Sequence, residues 1–367
     1  MVEKFTMDSK DEEILETFEL WKKESTTYHD LLLRDQKIAE EYYTGNQTQK
    51  GFIPDHQSDV VENRIYEATE TMVPIVTANA HQFLVLPGSD NEKSVTKAEG
   101  LQKVLSKKYD ELEVQKKLEE ITRHIILYKF GVAKWCWSDV FDDIEIEAKD
   151  PRTIYIPKLK ADPHELPYVM ELQEYSYNEM EEYFPKESID GLSDFVVSET
   201  DNTRKTYKVY EVWTSEMVAW ISSNKILDKR ENPYWDFTGE EKNVVDLLPG
   251  KGRKKKTTKI FRNHLARPTK PFVFFYTFNV SKDSPLPKVS LADVAIPIQD
   301  AINTQKRRII DNLRTMGNGQ VMMDSDAMSE EEAGNITNEP GLVIRGEGLV
   351  SQGKIKRDPG VPLPIGH

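Results

Sequence analysis

The sequence predicts an α+β fold, and three observations carry that prediction. Apolar residues recur at three- and four-residue spacing through most of the first 129 positions. From 132 to 278 the pattern changes to short alternating runs broken by turns such as Asp150-Pro151 and Asp162-Pro163. An aromatic run, Pro271-Phe272-Val273-Phe274-Phe275-Tyr276-Thr277-Phe278, then leads through a Pro-marked turn into another long helical period.

The first helix is predicted over 8–45, where Ile14, Phe18, Trp21, Tyr28, Leu32, Ile38 and Tyr42 trace one stripe and Gly45 stops it. After a polar loop at 46–60, a second helix over 61–80 holds Ile65, Ala68, Met72 and Ile75, with a kink predicted at Pro74. Leu101, Leu105, Tyr109, Leu112, Leu118, Ile121, Ile125 and Tyr128 keep the period through a third helix over 94–129, with Gly131 as its stop. Strands are predicted through 132–175, a short helix opened by Ser176 over 176–190, a polar loop over 191–206, and strands again through 207–278 with 233–256 loop-like. Five aromatic residues among the eight at 271–278 predict a buried strand. The last long helix is predicted over 285–316. Leu291, Val294, Ile298, Ile302, Ile309, Leu313 and Met316 should form its packing face, and Gln299, Asp300, Asn303, Lys306 and Arg307 the face left to solvent. Residues 317–360, punctuated by glycines, hold too few apolar side chains for a free-standing core.

Composition narrows the class. The 367 residues have room for two or three domains, and an apolar content of 38% supports packed cores. No run approaches the roughly 20 apolar residues of a membrane span. The start Met1-Val2-Glu3-Lys4-Phe5 lacks the apolar core of a signal peptide, so the product is expected to stay in the cytoplasm where it is made, with no membrane partner. Cys136 is the only cysteine, which excludes intrachain disulfides and multi-thiolate metal sites; between Trp135 and Trp137 it reads as a buried strand thiol. A net charge of -14 argues against tight static binding to nucleic acid, because phosphate neutralisation dominates such affinity.

No arrangement for catalysis emerges, and no cofactor or metal is expected. Gly250-Lys251-Gly252 lacks the spacing of a phosphate loop, the seven histidines lack metal-ligand spacing, and no G-x-S-x-G elbow exists. The acids Glu330, Glu331 and Glu332 follow Ser329, where a helix start would be balanced by negative charge. The stretch 251–270 has nine Lys or Arg and no acid; its centre, Arg253, Lys254, Lys255 and Lys256, reads as a solvated loop or a phosphate-contacting patch. On the last long helix, Arg307, Arg308 and Arg314 either pair locally with Asp300 or Asp311 or present guanidinium groups to a channel or a neighbour.

Several local patterns fall in a recognisable order: Tyr42-Tyr43-Thr44-Gly45-Asn46-Gln47, then Asn63-Arg64-Ile65 through Val73-Pro74, Gly131 through Trp137, Asp150-Pro151-Arg152-Thr153-Ile154, the aromatic strand, and Gln299 through Asn303. Together they resemble the tailed-bacteriophage portal proteins across roughly 15–360, through their "YY.G.Q", "NRI...E..VP", "G.g..k..W", "DP..i", "PF.PFY" and "Q..iN" patterns. The resemblance implies a wing domain of helices and mixed sheet over 1–280, a first stem helix over 285–316 and a small α/β clip over 317–360. It further implies a structural, non-enzymatic subunit of a twelve-membered ring at one capsid vertex, the channel for genome packaging and ejection. Implied partners are further copies of the chain, the terminase large subunit, head-completion and adaptor proteins, the major capsid protein and double-stranded DNA in transit. Implied locations are the virion and, during assembly, the host cytoplasm. Clip contacts would fall on Val321, Met323, Glu330, Glu331, Val343 and Arg345, with a strand pair around Val321 and Val343 completed by a neighbour. Family members continue beyond the clip into a second stem helix, tunnel loop and crown, so 361–367 reads as the lead-in to that helix and the chain as a truncated one. Two other readings stay open: a different virion or adaptor protein with a wing-like fold, and a nucleic-acid-processing enzyme.

Overall fold

The computed structural model describes residues 9–47, 58–78, 83–138, 142–192, 195–197, 205–234, 241–245, 255–259, 270–280, 283–317, 321–323 and 355–357. They form an α+β fold in two compact units, one drawn from 1–40 and 67–294, the other from 41–66 and 295–367. Residues 41–66, read in sequence as part of the wing, thus cluster with the long helix.

In the first unit, α1 (Asp11–Thr44) contributes its residues up to Glu40, and Asp11, Glu12 and Glu13 lie in its first turn, where the helix dipole favours negative charge. Helix α2 (Arg64–Thr77), which belongs to this unit from Glu67 on, continues through Pro74. The predicted third helix is two helices, α3 (Glu92–Glu111) and α4 (Val114–Tyr128). They break because Glu113 adopts a left-handed φ of 48°, which cannot continue the i→i−4 ladder. Gly131 is not the helix stop either. It lies inside β1 (Phe130–Ser138), and a Cβ there would stand 2.7 Å from both Cγ2 and O of Ile121, so its absence lets strand and helix approach closely.

The strands continue as β2 (Asp143–Lys149), β3 (Ile154–Tyr155) and β4 (Tyr168–Ser176). Helix α5 (Tyr177–Tyr183) is opened, as its sequence predicts, by Ser176, whose hydroxyl and the Glu179 carboxylate cap each other's backbone N–H groups. After α6 (Lys186–Ile189) come β5 (Phe195–Val197), β6 (Lys205–Thr214), β7 (Met217–Ser222), β8 (Lys225–Glu231), β9 (Glu241–Val245), β10 (Lys255–Lys259) and β11 (Phe272–Tyr276). Two main sheets result, both antiparallel: one ordered β11-β1-β2, the other β3-β4-β6-β7-β8 with β5 also on β6. The aromatic strand pairs β1 with Val132 opposite Phe274, and it buries Phe272 and Phe274 while Phe278 beyond it is exposed.

Helix α1 lies across both sheets. Its lower stripe, Ile14, Phe18 and Trp21, meets Tyr168, Met170, Val212 and Met217; Trp21 stacks on Tyr168 at 4.3 Å. Tyr28 and Leu32 meet Phe130, Val132, Phe272 and Phe274. Each such aromatic or leucine contributes about 1.5–3 kcal/mol by burial, which is why a helix with several acids on its other side stays docked.

Two loop expectations are corrected. Within 233–256 and the basic stretch, β9 and β10 pair antiparallel with Lys255 opposite Val245 and Lys259 opposite Glu241. Thr257 and Thr258 favour extended backbone, while the lysines around them make the composition read as loop. Arg253 and Lys254 lie outside the described residues, as do the side chains of Lys255 and Lys256.

In the second unit α7 (Leu291–Gly317) predominates; its first turn, through Val294, belongs to the first unit. It starts at 291 and not 285, because Pro285 and Pro287 precede it and Ser290 caps it: the Ser290 hydroxyl accepts from Asp293 N at 3.0 Å, and the Asp293 carboxylate accepts from Ser290 N at 2.8 Å. Strand β12 (Val321–Met323) pairs with β13 (Ile355–Arg357), Val321 opposite Arg357. The expected partner Val343 lies outside the described residues, as do Arg345, Glu330 and Glu331.

Candidate functional site

The sequence assigns the apolar stripe of α7 to packing and its polar residues to solvent. The structure keeps Asp300 and Lys306 exposed, as expected, but reverses the assignment elsewhere on the helix. Gln299, Asn303 and Arg307 are 1%, 2% and 8% exposed, whereas Val294, Ile298 and Leu313 are 60%, 61% and 61% exposed, with Leu291 and Ile309 also open. A helix can bury amides and a guanidinium only if each finds partners, since an unpaired buried polar group costs about 1–3 kcal/mol.

The partners come from an extended segment, 58–64, that runs antiparallel to α7. Asp311 Oδ1 accepts from Ser58 N at 2.6 Å, and Arg307 Nε donates to the Val60 carbonyl at 3.2 Å. Asn303 Oδ1 accepts from Glu62 N at 3.1 Å. Gln299 donates to the Glu62 carbonyl at 2.6 Å and accepts from Arg64 N at 2.9 Å. Every second residue of the segment therefore meets every fourth residue of the helix. The match is metric: two extended residues advance about 6.6 Å and four helical residues about 6 Å, so side chains one turn apart serve as the partner edge that a neighbouring strand would otherwise provide.

The end of α1 closes the cluster. Gly45, at φ +88°, turns the chain so that Gln47 comes back over the last turn, donating to the Tyr42 carbonyl at 2.6 Å and to Asn63 Oδ1 at 3.0 Å. Asn63 donates to the Tyr43 carbonyl at 2.8 Å, and Asn303 donates to Gln47 Oε1 at 2.7 Å. Arg307 Nη2 also donates to the Gln47 carbonyl at 3.1 Å and pairs with Asp59 at 3.3 Å. The Tyr42 hydroxyl donates to Asp300 at 2.6 Å; burial and that carboxylate push its pKa up to about 12.

Among the described site residues read from sequence, Arg307 enters this cluster. It is buried and built into the ladder, with Val60, Gln47 and Asp59 as partners in place of the expected Asp300 or Asp311. Arg308 is exposed, and Arg314 lies on α7 with its side chain outside the described residues. Sequence reasoning missed Gln47, Asn63, Gln299 and Asn303 as a group. Each belongs to one of the patterns that carry the resemblance, and Gln299, Asn303, Arg307 and Asp311 keep a four-residue spacing, but neither signal states a partner.

A second buried polar group lies between the main sheets of the first unit. Lys134 on β1 donates to Glu171 on β4 at 2.5 Å and to Glu211 on β6 at 2.7 Å, while Lys149 pairs with Glu171 at 3.0 Å. Gln173 and the Trp213 indole N–H complete the shell of Glu211 at 2.7 and 2.6 Å. Burial opposes the charges, but Glu211 and Glu171 outweigh it and hold the Lys134 ammonium above its ordinary pKa; Lys134 and Lys149 likewise hold Glu171 below the usual carboxylate range. Cys136, on the same strand, is half-buried and free, with burial pushing its thiol up. Both clusters spend their polar groups on one another, a composition suited to fixing chain segments. Among the described residues no group of His, Cys, Asp and Glu could hold a metal ion, and no helix is long and apolar enough to cross a membrane.

Compared with protein-family models and with curated proteins, the chain matches none.

Proposed function

We propose that the chain is a structural subunit of portal type, forming a ring with further copies of itself through which a viral genome passes. The observation that carries this reading is the inverted helix α7: its polar side is consumed by the ladder, and its apolar stripe of Ile298, Ile309 and Leu313 is turned to solvent. Such a stripe needs a covering surface, and a ring supplies the same surface from each neighbour. A second support is convergence. The Tyr42–Gln47, Asn63-Arg64 and Gln299–Asn303 patterns that underlie the resemblance are far apart in sequence and meet in one cluster. In this reading the cluster stiffens the stem helix, and terminase, head-completion proteins and passing DNA engage the assembled ring. The chain itself breaks no covalent bond.

Negative-stain imaging of the purified chain tests the reading. Closed rings with a central hole are the expected result; monomers or open fibres under all solution conditions would contradict it.

A further inference from the structure

The turn at 150–153 in the first unit is gripped from two sides by groups that include the buried imidazole of His29 and the half-buried one of His124. Asp150 caps it, accepting from Arg152 N at 2.9 Å, and also holds the Arg152 side chain, whose Nη1 reaches Glu40 on α1 at 2.7 Å. From α1, the His29 ring stacks on Tyr155 of β3 at 3.9 Å, and Nε2 donates to the Arg152 carbonyl at 2.6 Å. From α4, His124 stacks on Tyr128 at 5.5 Å, and the Tyr128 ring lies 5.4 Å from the Arg152 guanidinium. The Nδ1 atoms of both histidines are buried without a hydrogen-bond partner.

We propose that His29 and His124 form an acid-sensitive joint, holding α1 and α4 on the 150–153 turn while both imidazoles are neutral and releasing them when protons arrive. A proton on His124 Nδ1 creates a buried donor with nothing to receive it and a charge near Arg123 and Arg152; one on His29 Nδ1 creates a buried charge whose nearest acid, Asp30, lies 3.9 Å off, beyond hydrogen-bond reach. The surrounding charges do not cancel that cost. His124 faces Arg123 of its own helix and Arg152, opposed by Asp150 alone, which Arg152 already occupies. His29 faces Asp30 at 3.9 Å, an acid whose side chain stands in solvent, together with Tyr155 and the Arg152 carbonyl. Burial, the leading influence on each, lowers both imidazole pKa values. A histidine lowered in the folded state adds stability above its unfolded value of about 6.5 and loses it as pH falls below that. The joint is therefore closed at neutral pH and opens on mild acidification.

The test is thermal melting of the full chain against pH, with a His29→Gln/His124→Gln double variant beside it. Wild type should lose melting temperature between about pH 7 and about pH 5, and the double variant should lose about half as much or less over that interval. Equal slopes would assign the acid response to carboxylates and overturn the joint. Should the double variant not fold, the wild-type ring-proton NMR titration decides: midpoints for both histidines below about 6.5 support the joint, and midpoints at or above it overturn it. Hydrogen exchange gives the location. Amides around His29 and at 151–155 should lose protection on acidification before those of β6 and β7, and a uniform loss would count against the proposal.

Discussion

At Lys134 an ammonium group sits in the gap between two sheets with a carboxylate from each of two neighbouring strands. Replacing it by Met leaves Glu171 and Glu211 buried with one fewer counter-charge, and removing one member of such a group costs about 3–5 kcal/mol. Urea unfolding of Lys134→Met should show a loss of that order at unchanged m-value. Gly131→Ala tests packing and not charge. Its Cβ would meet the Ile121 backbone oxygen, which cannot swing aside as a side chain tip does, so we expect a loss of about 1–3 kcal/mol in the same assay. Neither role could be read locally. A lysine in Val132-Ala133-Lys134-Trp135 looks like the outward position of an alternating strand, and its two partners lie 37 and 77 residues away.

For α7 the ladder makes a sharper prediction than its apolar stripe does. Asn303→Leu keeps the side chain's bulk but strands Glu62 N, the Gln47 amide and one arm of Gln299, so it should destabilise the cluster by about 1–3 kcal/mol. Hydrogen exchange should show the loss as reduced protection at 58–64, with the sheets of the first unit unchanged. Ser290→Ala should cost about 0.5–2 kcal/mol by removing the cap, read as lower helicity on circular dichroism and a lower melting temperature. At this scale the sequence is a partial guide. The stripe of α1 from Ile14 to Leu32 and the aromatic strand through Phe274 are legible because burial there follows periodicity, although Ile38 is exposed, and the start of α5 is legible from its capping box. The packing side of α7 is not, because periodicity locates an apolar face without saying what covers it, and the chain's own 58–64 segment binds the opposite face by hydrogen bonds. Strands β9 and β10 escape notice for a related reason: charged Lys and Glu residues conceal a pairing carried by the backbone.

For the molecule as a whole, the account rests on the exposed stripe of α7 being a surface between copies. Ile298 and Ile309 lie about three turns apart on that stripe and outside the ladder, so changing both to Asp should leave the fold of the single chain intact. Light scattering of the purified full chain across a concentration series, wild type beside Ile298→Asp/Ile309→Asp, is the most direct measurement. The account predicts that wild type assembles into a particle of defined, ring-sized mass while the variant remains monomeric with an unchanged melting curve. Assembly of the variant to the same mass, or a wild type that stays monomeric at every concentration, would contradict it.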